Sequence, residues 1–446
     1  MKLSFFGAVK EVTGSNYLLE AGGVKILIDC GLKQSGHFAD EENWEPFPYD
    51  LKEISAVLVT HAHIDHTGRL PKLIKDGYQG KVYSTPPTKD FSQLLLLDSE
   101  NILHKEAERS GKEPLYYADD VMKLMTRWEG VEYYRDFSIG DVKITFYNAG
   151  HILGSSIIKI EADGKKILFT GDLGNNPPPV IKGTDFFDEA DYCVIESAYG
   201  ARIHEPAQPE IIEDLIEDVA RDKGVLMIPA FAMERTQKLL YEMHDLFREQ
   251  RVPKVPVFLD SPLAIEVTDI YKRYKDYFNA ETIKDMNDHF LLFDFPGLKK
   301  TLTTDESKSI NNVPAPKVII AGSGMSQGGR ILHHEMRYLP DPKSVILFVG
   351  YQTKGSLGRR IKEGAPTVKI HGEEVNVRCR IVSVESYSAH ADQKRLLAWI
   401  EPMRFNLKKV FVVQGDDEGS LVLAGKIKDT LAVNAEIPEA GKVYEL

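Results

Sequence analysis

The stretch VLVTHAHIDHTGRLPKL, residues 57–73, joins an apolar strand to a cluster of polar side chains and the start of a helix. The side chains in it that suit a metal ion are His61, His63, Asp65 and His66. His61 and His63 are two residues apart in extended backbone and project to the same side, whereas the next pair follows as the chain turns. Imidazole and carboxylate together suit Zn²⁺ or a related divalent cation. A run of helix-capping residues is the alternative, but a cap needs only one Asp or Thr. We therefore predict a metal site that can serve two adjacent cations.

Two further candidate ligands occupy the same kind of position. His151 in YNAGHILGSS and Asp172 in LFTGDLGN each follow an apolar strand. Alone, a histidine after a strand is more often a surface residue, and an aspartate before Leu-Gly is more often a turn residue. Together with the first cluster, however, they are what a sheet needs to bring ligands together at one edge. We predict that both bind metal.

The pattern of predicted secondary structure changes along the chain. The first third is rich in short apolar runs closed by Gly, Asp or His, which predict strands. From about residue 206, strands alternate with helices of 10 to 15 residues, as in GVLMIPA followed by a helix over 232–250. This alternation predicts a parallel sheet covered on both faces. We expect an α/β protein in which residues 1–205 and 388–446 form one domain and residues 206–387 are inserted in it.

Composition excludes several classes of protein. The 446 residues are 43% hydrophobic and 27% charged, which is typical of a globular protein. The formal net charge of −12 argues against tight non-specific binding of polyanions, so any nucleic acid must be held by a local groove. The cysteines, Cys30, Cys193 and Cys379, are far apart, which favours a reducing cytoplasm over a disulfide framework. No apolar run approaches the length of a membrane-spanning helix.

The motifs THAHIDHTG, AGH and TGD resemble the successive ligand motifs of the metallo-β-lactamase superfamily. The inserted region, with IESAYG before it and SYSAHADQ after it, resembles the β-CASP branch, which contains RNA- and DNA-processing nucleases. LDSPLA at 259–264 and GSGM at 322–325 also resemble that branch. The resemblance covers essentially the whole chain. It implies an αββα sandwich with a dinuclear site at one edge and an inserted parallel-sheet β-CASP domain.

The resemblance also implies a role for each site residue. His61, His63 and His151 would hold the first Zn²⁺, Asp65 and His66 the second, and Asp172 would bridge them. Glu196 matches the acidic residue that orients a histidine, and His390 in SAHAD matches that histidine.

One position departs from the family pattern. The last motif of the family has a histidine ligand for the second metal, and KVFVVQGDDEG has Gln414 there. An amide oxygen is a poorer donor to Zn²⁺ than imidazole, so we expect the second metal to be weak, replaced by another ion such as Mn²⁺, or absent. Asp416 or Asp417 is an alternative ligand, and an engineered change at Gln414 is another explanation.

The resemblance predicts hydrolysis of RNA phosphodiester bonds, with endonucleolytic action favoured. We expect attack by a metal-bound hydroxide, with Asp65 accepting the proton of the water and His390 protonating the leaving oxygen. Two alternatives stay open. Gln414 is consistent with a catalytically weakened protein that still binds RNA. Some relatives that act on DNA also lack this histidine, so DNA stays open as the substrate. A hydrolase of small molecules would not need the inserted domain.

Contacts with the substrate rest on a glycine-rich turn. AGSGMSQGGR lies between a strand and a helix, so Ser323, Gly324 and the following amides predict a phosphate site, to which Arg330 is added. A turn without a ligand is the alternative. The basic stretch TKGSLGRRIKEG supplies further candidate contacts for single-stranded RNA, at Lys354, Arg359, Arg360 and Lys362, or else forms a solvated helix face. Whether the chain forms a homodimer stays open.

Overall fold

The computed structural model describes residues 1–34, 40–175, 178–205, 208, 210–287, 292–384 and 387–446. The chain divides into two compact units. The first unit contains Met1–Ile203 and Ala389–Leu446, and the second contains His204–Ser388.

The strands of the described residues are, in chain order, β1 Lys2–Gly7, β2 Asn16–Ala21, β3 Val24–Ile28, β4 Ile54–Leu58, β5 Lys81–Ser84, β6 Trp128–Gly130, β7 Phe137–Ile139, β8 Val142–Asn148, β9 Ser156–Ala162, β10 Lys165–Phe169, β11 Tyr192–Glu196, β12 Val225–Pro229, β13 Val257–Asp260, β14 Leu298–Lys300, β15 Lys317–Ala321, β16 Val345–Val349, β17 Thr367–Ile370, β18 Glu373–Asn376, β19 Arg380–Val384, β20 Lys409–Val413, β21 Ala435–Glu436 and β22 Val443–Glu445. The α-helices are α1 Ile64–Thr67, α2 Leu70–Lys75, α3 Pro86–Ser110, α4 Ala118–Arg127, α5 Ile211–Asp222, α6 Arg235–Arg248, α7 Pro262–Arg273, α8 Ala280–Asn287, α9 Thr304–Ser309, α10 Ile331–Tyr338, α11 Leu357–Lys362, α12 Gln393–Ile400 and α13 Asp417–Leu431.

The first unit is built on two seven-stranded sheets. Their strand orders are β22-β1-β2-β3-β4-β5-β6 and β21-β20-β11-β10-β9-β8-β7. The tail of the chain completes the second sheet, because β20 pairs in parallel with β11. In each sheet a run of parallel strands lies beside a run of antiparallel ones.

Apolar side chains from both sheets form the layer between them, including Phe5, Phe146 and Phe411. A second cluster packs the outer face of the β20-containing sheet against α12 and α13 through Trp399 and Leu423. A third packs the β4-containing sheet against α2, α3 and α4. Helices therefore cover both outer faces, and the predicted αββα sandwich is confirmed.

The second unit has a six-stranded sheet with the order β14-β13-β15-β12-β16-β19. All neighbouring strands in it are parallel. The strands β12, β15 and β16 are buried at every position, as expected for a sheet with helices on both faces. The predicted parallel α/β domain is confirmed in this unit.

Most predicted elements are present with small shifts at their ends. The helix predicted over 232–250 begins at Arg235 and ends at Arg248. The helix α3 begins at Pro86, and proline is well suited to the first turn of a helix. Among the described residues, no helix is both long and apolar enough to cross a membrane.

Candidate metal centre

The candidate ligands lie just beyond the ends of strands in the first unit. His61 and His63 follow β4, His151 follows β8, and Asp172 follows β10. Glu196 is the last residue of β11. Because β8, β10 and β11 run in the same direction within their sheet, their carboxyl ends meet at one edge. The predicted convergence of these side chains is therefore present.

Four of them form a compact group. His61, His63, His151 and Asp172 each place one potential ligand atom within 4.8 Å of the others. The Nδ1 of His63 lies 3.0 Å from His61 Nε2 and 3.2 Å from His151 Nε2. The Oδ2 of Asp172 lies 3.4 Å and 3.5 Å from the same two Nε2 atoms. Three ring nitrogens and a carboxylate oxygen thus face a common point, which is the donor set that a tetrahedral zinc site uses.

The electrostatics of this group favour a cation. Burial lowers the pKa of His61, and lowers those of His63 and His151 further, so the three rings are held neutral. Burial alone would raise the pKa of Asp172, but His66, His61 and the nearby His390 outweigh it and keep that carboxyl ionised. Neutral nitrogens only about 3 Å apart repel unless a proton or a cation lies between them. The residues present therefore fit a divalent cation at this point.

The other two candidate ligands of the first cluster are placed differently. His66 Nε2 lies 3.3 Å from Asp172 Oδ1, and Asp65 Oδ2 lies 3.9 Å from His66 Nε2. Gln414 follows β20, is buried, and places its Nε2 atom 2.9 Å from Asp172 Oδ1 and 2.7 Å from His66 Nε2. Among the described residues, Asp65 and His66 do not belong to a ligand group as compact as the first one.

A carboxylate–histidine pair lies beside the first group. His390 Nδ1 lies 3.2 Å from Glu196 Oε2 and 3.8 Å from Asp172 Oδ2. Glu196 is fully buried, and its Oε1 accepts a hydrogen bond from the backbone N–H of Leu173. Burial raises the pKa of Glu196 in spite of the opposing effect of His390. His390 is 24% exposed, so its ring faces solvent while its orienting partner does not.

Comparison with protein families matches three parts of the chain. Residues 18–197 match the metallo-beta-lactamase superfamily domain, residues 236–361 the Beta-Casp domain, and residues 374–438 the Zn-dependent metallo-hydrolase RNA specificity domain. Ribonuclease TTHA0252 from Thermus thermophilus is 38% identical over 96% of each chain. The chain belongs to the β-CASP branch of the metallo-β-lactamase superfamily.

Other relatives of this β-CASP chain extend the comparison. An RNase J-like protein from Methanocaldococcus jannaschii is 32% identical over 100% of this chain and 99% of its own length. Transcription termination factor FttA from Methanosarcina mazei is 32% identical over 97% of this chain and 70% of its own length. A crystal structure of a protein of unknown function from Enterococcus faecalis V583 has the same fold, with a TM-score of 0.54, 13% identity, and coverage of 100% of this chain and 99% of the other.

Asp29 is a site residue of this β-CASP chain that the sequence analysis missed. Its Oδ2 accepts hydrogen bonds from Thr60 Oγ1 at 2.8 Å and from His66 Nδ1 at 2.7 Å. Its Oδ1 accepts one from the Thr60 N–H at 2.8 Å. A carboxylate behind a histidine fixes which ring nitrogen faces the centre. The only signal in the sequence is that the strand VKILI also ends in an aspartate.

The loop after Asp29 packs directly against the second pair of candidate ligands. Cys30 N–H donates to the His66 carbonyl, and Leu32 N–H donates to the Ile64 carbonyl. A Cβ atom on Gly31 would overlap the carbonyl oxygen of Asp65. Only glycine allows this approach, so Gly31 sets the position of the Asp65–His66 turn.

The predicted phosphate site lies in the second unit, and its groups are largely engaged in other contacts. Ser323 N–H donates to the Gly328 carbonyl, and Ser323 Oγ accepts from the N–H groups of Gln327 and Gly328. Ser323 therefore closes its own loop, and the carbonyl of Gly324 accepts a hydrogen bond from Gln352 Nε2 at 3.0 Å.

Arg330 is engaged in contacts within the second unit. It directly precedes α10. Its guanidinium donates to Asp260 Oδ1 at 2.8 Å and to the carbonyls of Thr301 and Leu302. Asp260 is fully buried and also accepts from His334 Nε2 at 2.7 Å. Arg330 thus pairs with a buried carboxylate, and its contact with a phosphate stays a prediction.

The structure also places the basic stretch and the two acidic alternatives to Gln414. Lys354 and Arg360 are exposed, Lys362 is half-buried, and Arg359 pairs with Glu363 one turn away. Asp416 caps α13 by accepting from the Gly419 N–H, and both Asp416 and Asp417 are exposed. Because Gln414 is buried and they are not, they do not replace the missing histidine.

Proposed function

We propose that this chain is a metal-dependent ribonuclease that hydrolyses phosphodiester bonds within single-stranded RNA. The observation that carries the proposal is the compact group of His61, His63, His151 and Asp172 beside the Glu196–His390 pair. A cation-binding group next to a solvent-facing histidine is the arrangement that phosphodiester hydrolysis needs. The names of the ribonuclease and RNase J-like relatives, and of the RNA specificity domain, support RNA as the substrate.

Zinc is the ion we propose for the first group. Three imidazole nitrogens and one carboxylate oxygen form a set that Zn²⁺ accepts in tetrahedral geometry, and Mn²⁺ is the alternative. A bound divalent cation would supply the positive charge that activates water and stabilises the phosphate oxygens in the transition state.

The residues of the chain would then divide the remaining tasks. His390, held by Glu196, would donate a proton from its solvent-facing ring to the leaving oxygen. Asp65 lies outside the compact group and its side chain is 22% exposed, so it is the carboxylate available to accept a proton from water. Asp172 would orient the centre, because its two oxygens face His61 and His66 respectively.

The state of the cysteines supports a compartment. The three cysteines are buried and unpaired with one another, and RNA is an intracellular substrate. We therefore include a cytoplasmic site of action in the proposal.

Cleavage of an end-labelled single-stranded RNA, beside a DNA of the same sequence, tests the function. The wild-type chain should release internal fragments from the RNA, His63→Ala should abolish them, and His390→Ala should form them far more slowly. His104→Ala is the matched control, because His104 is a partly exposed histidine on α3 and should leave cleavage unchanged. Binding without cleavage would instead show an RNA-binding protein weakened at Gln414, and cleavage of DNA alone would show a DNA nuclease.

A further inference from the structure

We propose that this chain holds a single divalent cation, at His61, His63, His151 and Asp172, and that the amide of Gln414 takes over the contacts a second cation would make. The inference deepens the proposed function and rests on the same site. It concerns the number of cations, which can be measured whether or not RNA is cleaved.

The two oxygens of the Asp172 carboxylate face different groups. Its Oδ2 faces the Nε2 atoms of His61 and His151 at 3.4 Å and 3.5 Å. Its Oδ1 faces the other way and lies 2.9 Å from Gln414 Nε2. To hold two cations, Asp172 would have to give one oxygen to each. Here Oδ1 already accepts a hydrogen bond from the Gln414 amide.

The orientation of that amide follows from Asp172. A carboxylate oxygen only accepts hydrogen bonds, so the amide atom 2.9 Å from it must be the nitrogen. With the amide reversed, two acceptor oxygens would face each other at that distance and repel. An N–H group cannot bind a cation. The amide nitrogen of Gln414 therefore donates a hydrogen bond to Asp172. The same nitrogen offers no lone pair to a metal.

The backbone holds Gln414 in this position. Its N–H donates to the Ala8 carbonyl at 2.8 Å, and its carbonyl accepts from the Ser197 N–H. The side chain is only 3% exposed, so it has little room to turn away. Turning the amide oxygen toward a second cation would break the contact with Asp172.

Asp65 and His66 do not assemble a second site. The other compact group, Asp172 with Glu196 and His390, uses the same Asp172, and its Glu196 already faces His390 Nδ1 at 3.2 Å. Asp65 Oδ2 is 3.9 Å from His66 Nε2, and among the described residues these two side chains join no compact ligand group. With His66 and Asp65 alone, a second cation would have two protein ligands, whereas catalytic zinc sites use three. A histidine at position 414 would provide the third.

The decisive experiment is the ratio of metal to protein in the full-length chain, freed of any affinity tag and equilibrated with buffered Zn²⁺. We expect one zinc per chain in the wild type and a twofold higher ratio in Gln414→His. Gln79→His is the matched control: it adds an imidazole at an exposed glutamine outside the site and should stay at one. A wild-type ratio of two, or a Gln414→His ratio that stays at one, would overturn the inference.

A second readout keeps the test independent of the variant's folding. Wild-type protein loaded with Mn²⁺ should give the electron paramagnetic resonance spectrum of an isolated ion, because two ions about 3.5 to 4 Å apart would be exchange-coupled. A coupled spectrum in the wild type would contradict the single-cation site. RNA cleavage measured on the same samples separates the two proposals. One zinc per chain without cleavage would contradict the proposed ribonuclease function but support the single-cation site. Two zincs per chain with cleavage would support the function but contradict the single-cation site.

Discussion

The carboxylate of Asp29 lies 2.7 Å from Nδ1 of His66, and both side chains are fully buried. This contact joins the end of β3 to the turn after β4, across 37 residues of sequence. It directs the other ring nitrogen, Nε2, toward Asp172 and Gln414.

Replacing Asp29 should destabilise the first unit. In Asp29→Ala, the Thr60 N–H, the Thr60 hydroxyl and His66 Nδ1 all lose the carboxylate that accepts their hydrogen bonds. We expect the free energy of unfolding to fall by about 3 to 5 kcal/mol, the usual cost of breaking a buried charged pair. Urea denaturation measures this, with the exposed Asp141→Ala as the control. A loss below about 1 kcal/mol, typical of exposed positions, would show that the network does not stabilise the fold.

Removing the proton donor should slow cleavage without removing the cation. In His390→Ala, we expect kcat to fall by about 10² to 10⁴-fold, the range for loss of a general acid, while zinc per chain is unchanged because His390 lies outside the four-ligand group. The activity of the variant should fall far less on a substrate whose leaving group needs no proton, such as a p-nitrophenyl phosphodiester. An equal loss with both substrates would remove His390 from the role of acid.

Glu196 is the positioning partner in the same pair. Glu196→Gln keeps the shape of the side chain but removes the charge that faces His390 Nδ1 at 3.2 Å. We expect kcat to depend on the leaving group in the same way as in His390→Ala, with a smaller loss of kcat. Tyr199→Phe is a suitable control, since the Tyr199 ring lies 5.9 Å from the His390 ring and bears no charge.

Loss of Arg330 should affect stability and not the binding of RNA. Arg330→Ala removes the partner of the buried Asp260 carboxylate and two hydrogen bonds to carbonyls. We expect the second unit to lose about 2 to 4 kcal/mol, because Asp260 then keeps only neutral donors and His334. The salt dependence of RNA affinity should not change. If the slope of log affinity against log salt concentration became smaller by about one unit, Arg330 would be shown to contact a phosphate.

The buried Glu335 should make stability depend on pH. Burial raises the pKa of Glu335 on α10 to about 8, although Ser326 Oγ donates to its carboxyl group. The folded chain therefore holds a proton that the unfolded chain releases near its ordinary pKa of about 4.3. The stability from this group is full below that value and is lost as pH rises toward 8, at up to about 1.4 kcal/mol per pH unit.

The substitution Glu335→Gln separates this effect from the rest of the titration. It keeps a neutral group of the same shape, so the decline in the urea midpoint between pH 5 and pH 8 should become smaller. Glu363→Gln, at an exposed glutamate, should leave the decline as in the wild type. Identical slopes in all three proteins would show that Glu335 is ionised in the folded state.

The pattern of strands and polar residues was sufficient to predict the fold class and the first ligand group. Each ligand follows a strand, and a strand is visible as a local apolar run, so the pattern around His61, His151 and Asp172 is sufficient to predict a common edge. The replacement of the expected histidine by Gln414 was also visible, since it interrupts a motif whose other residues are present.

The contacts of these residues, by contrast, are visible only in the folded chain. Arg330 looked like a free cation at a helix start, but folding brings it to Asp260, 70 residues away. Asp29 carried no distinct motif, and its importance comes from the packing of β3 beside β4. The direction of the Gln414 amide depends on Asp172, 242 residues earlier. Ligand identity is set by local sequence, whereas the hydrogen bonds that fix charge and orientation join residues that meet only when the sheets pack.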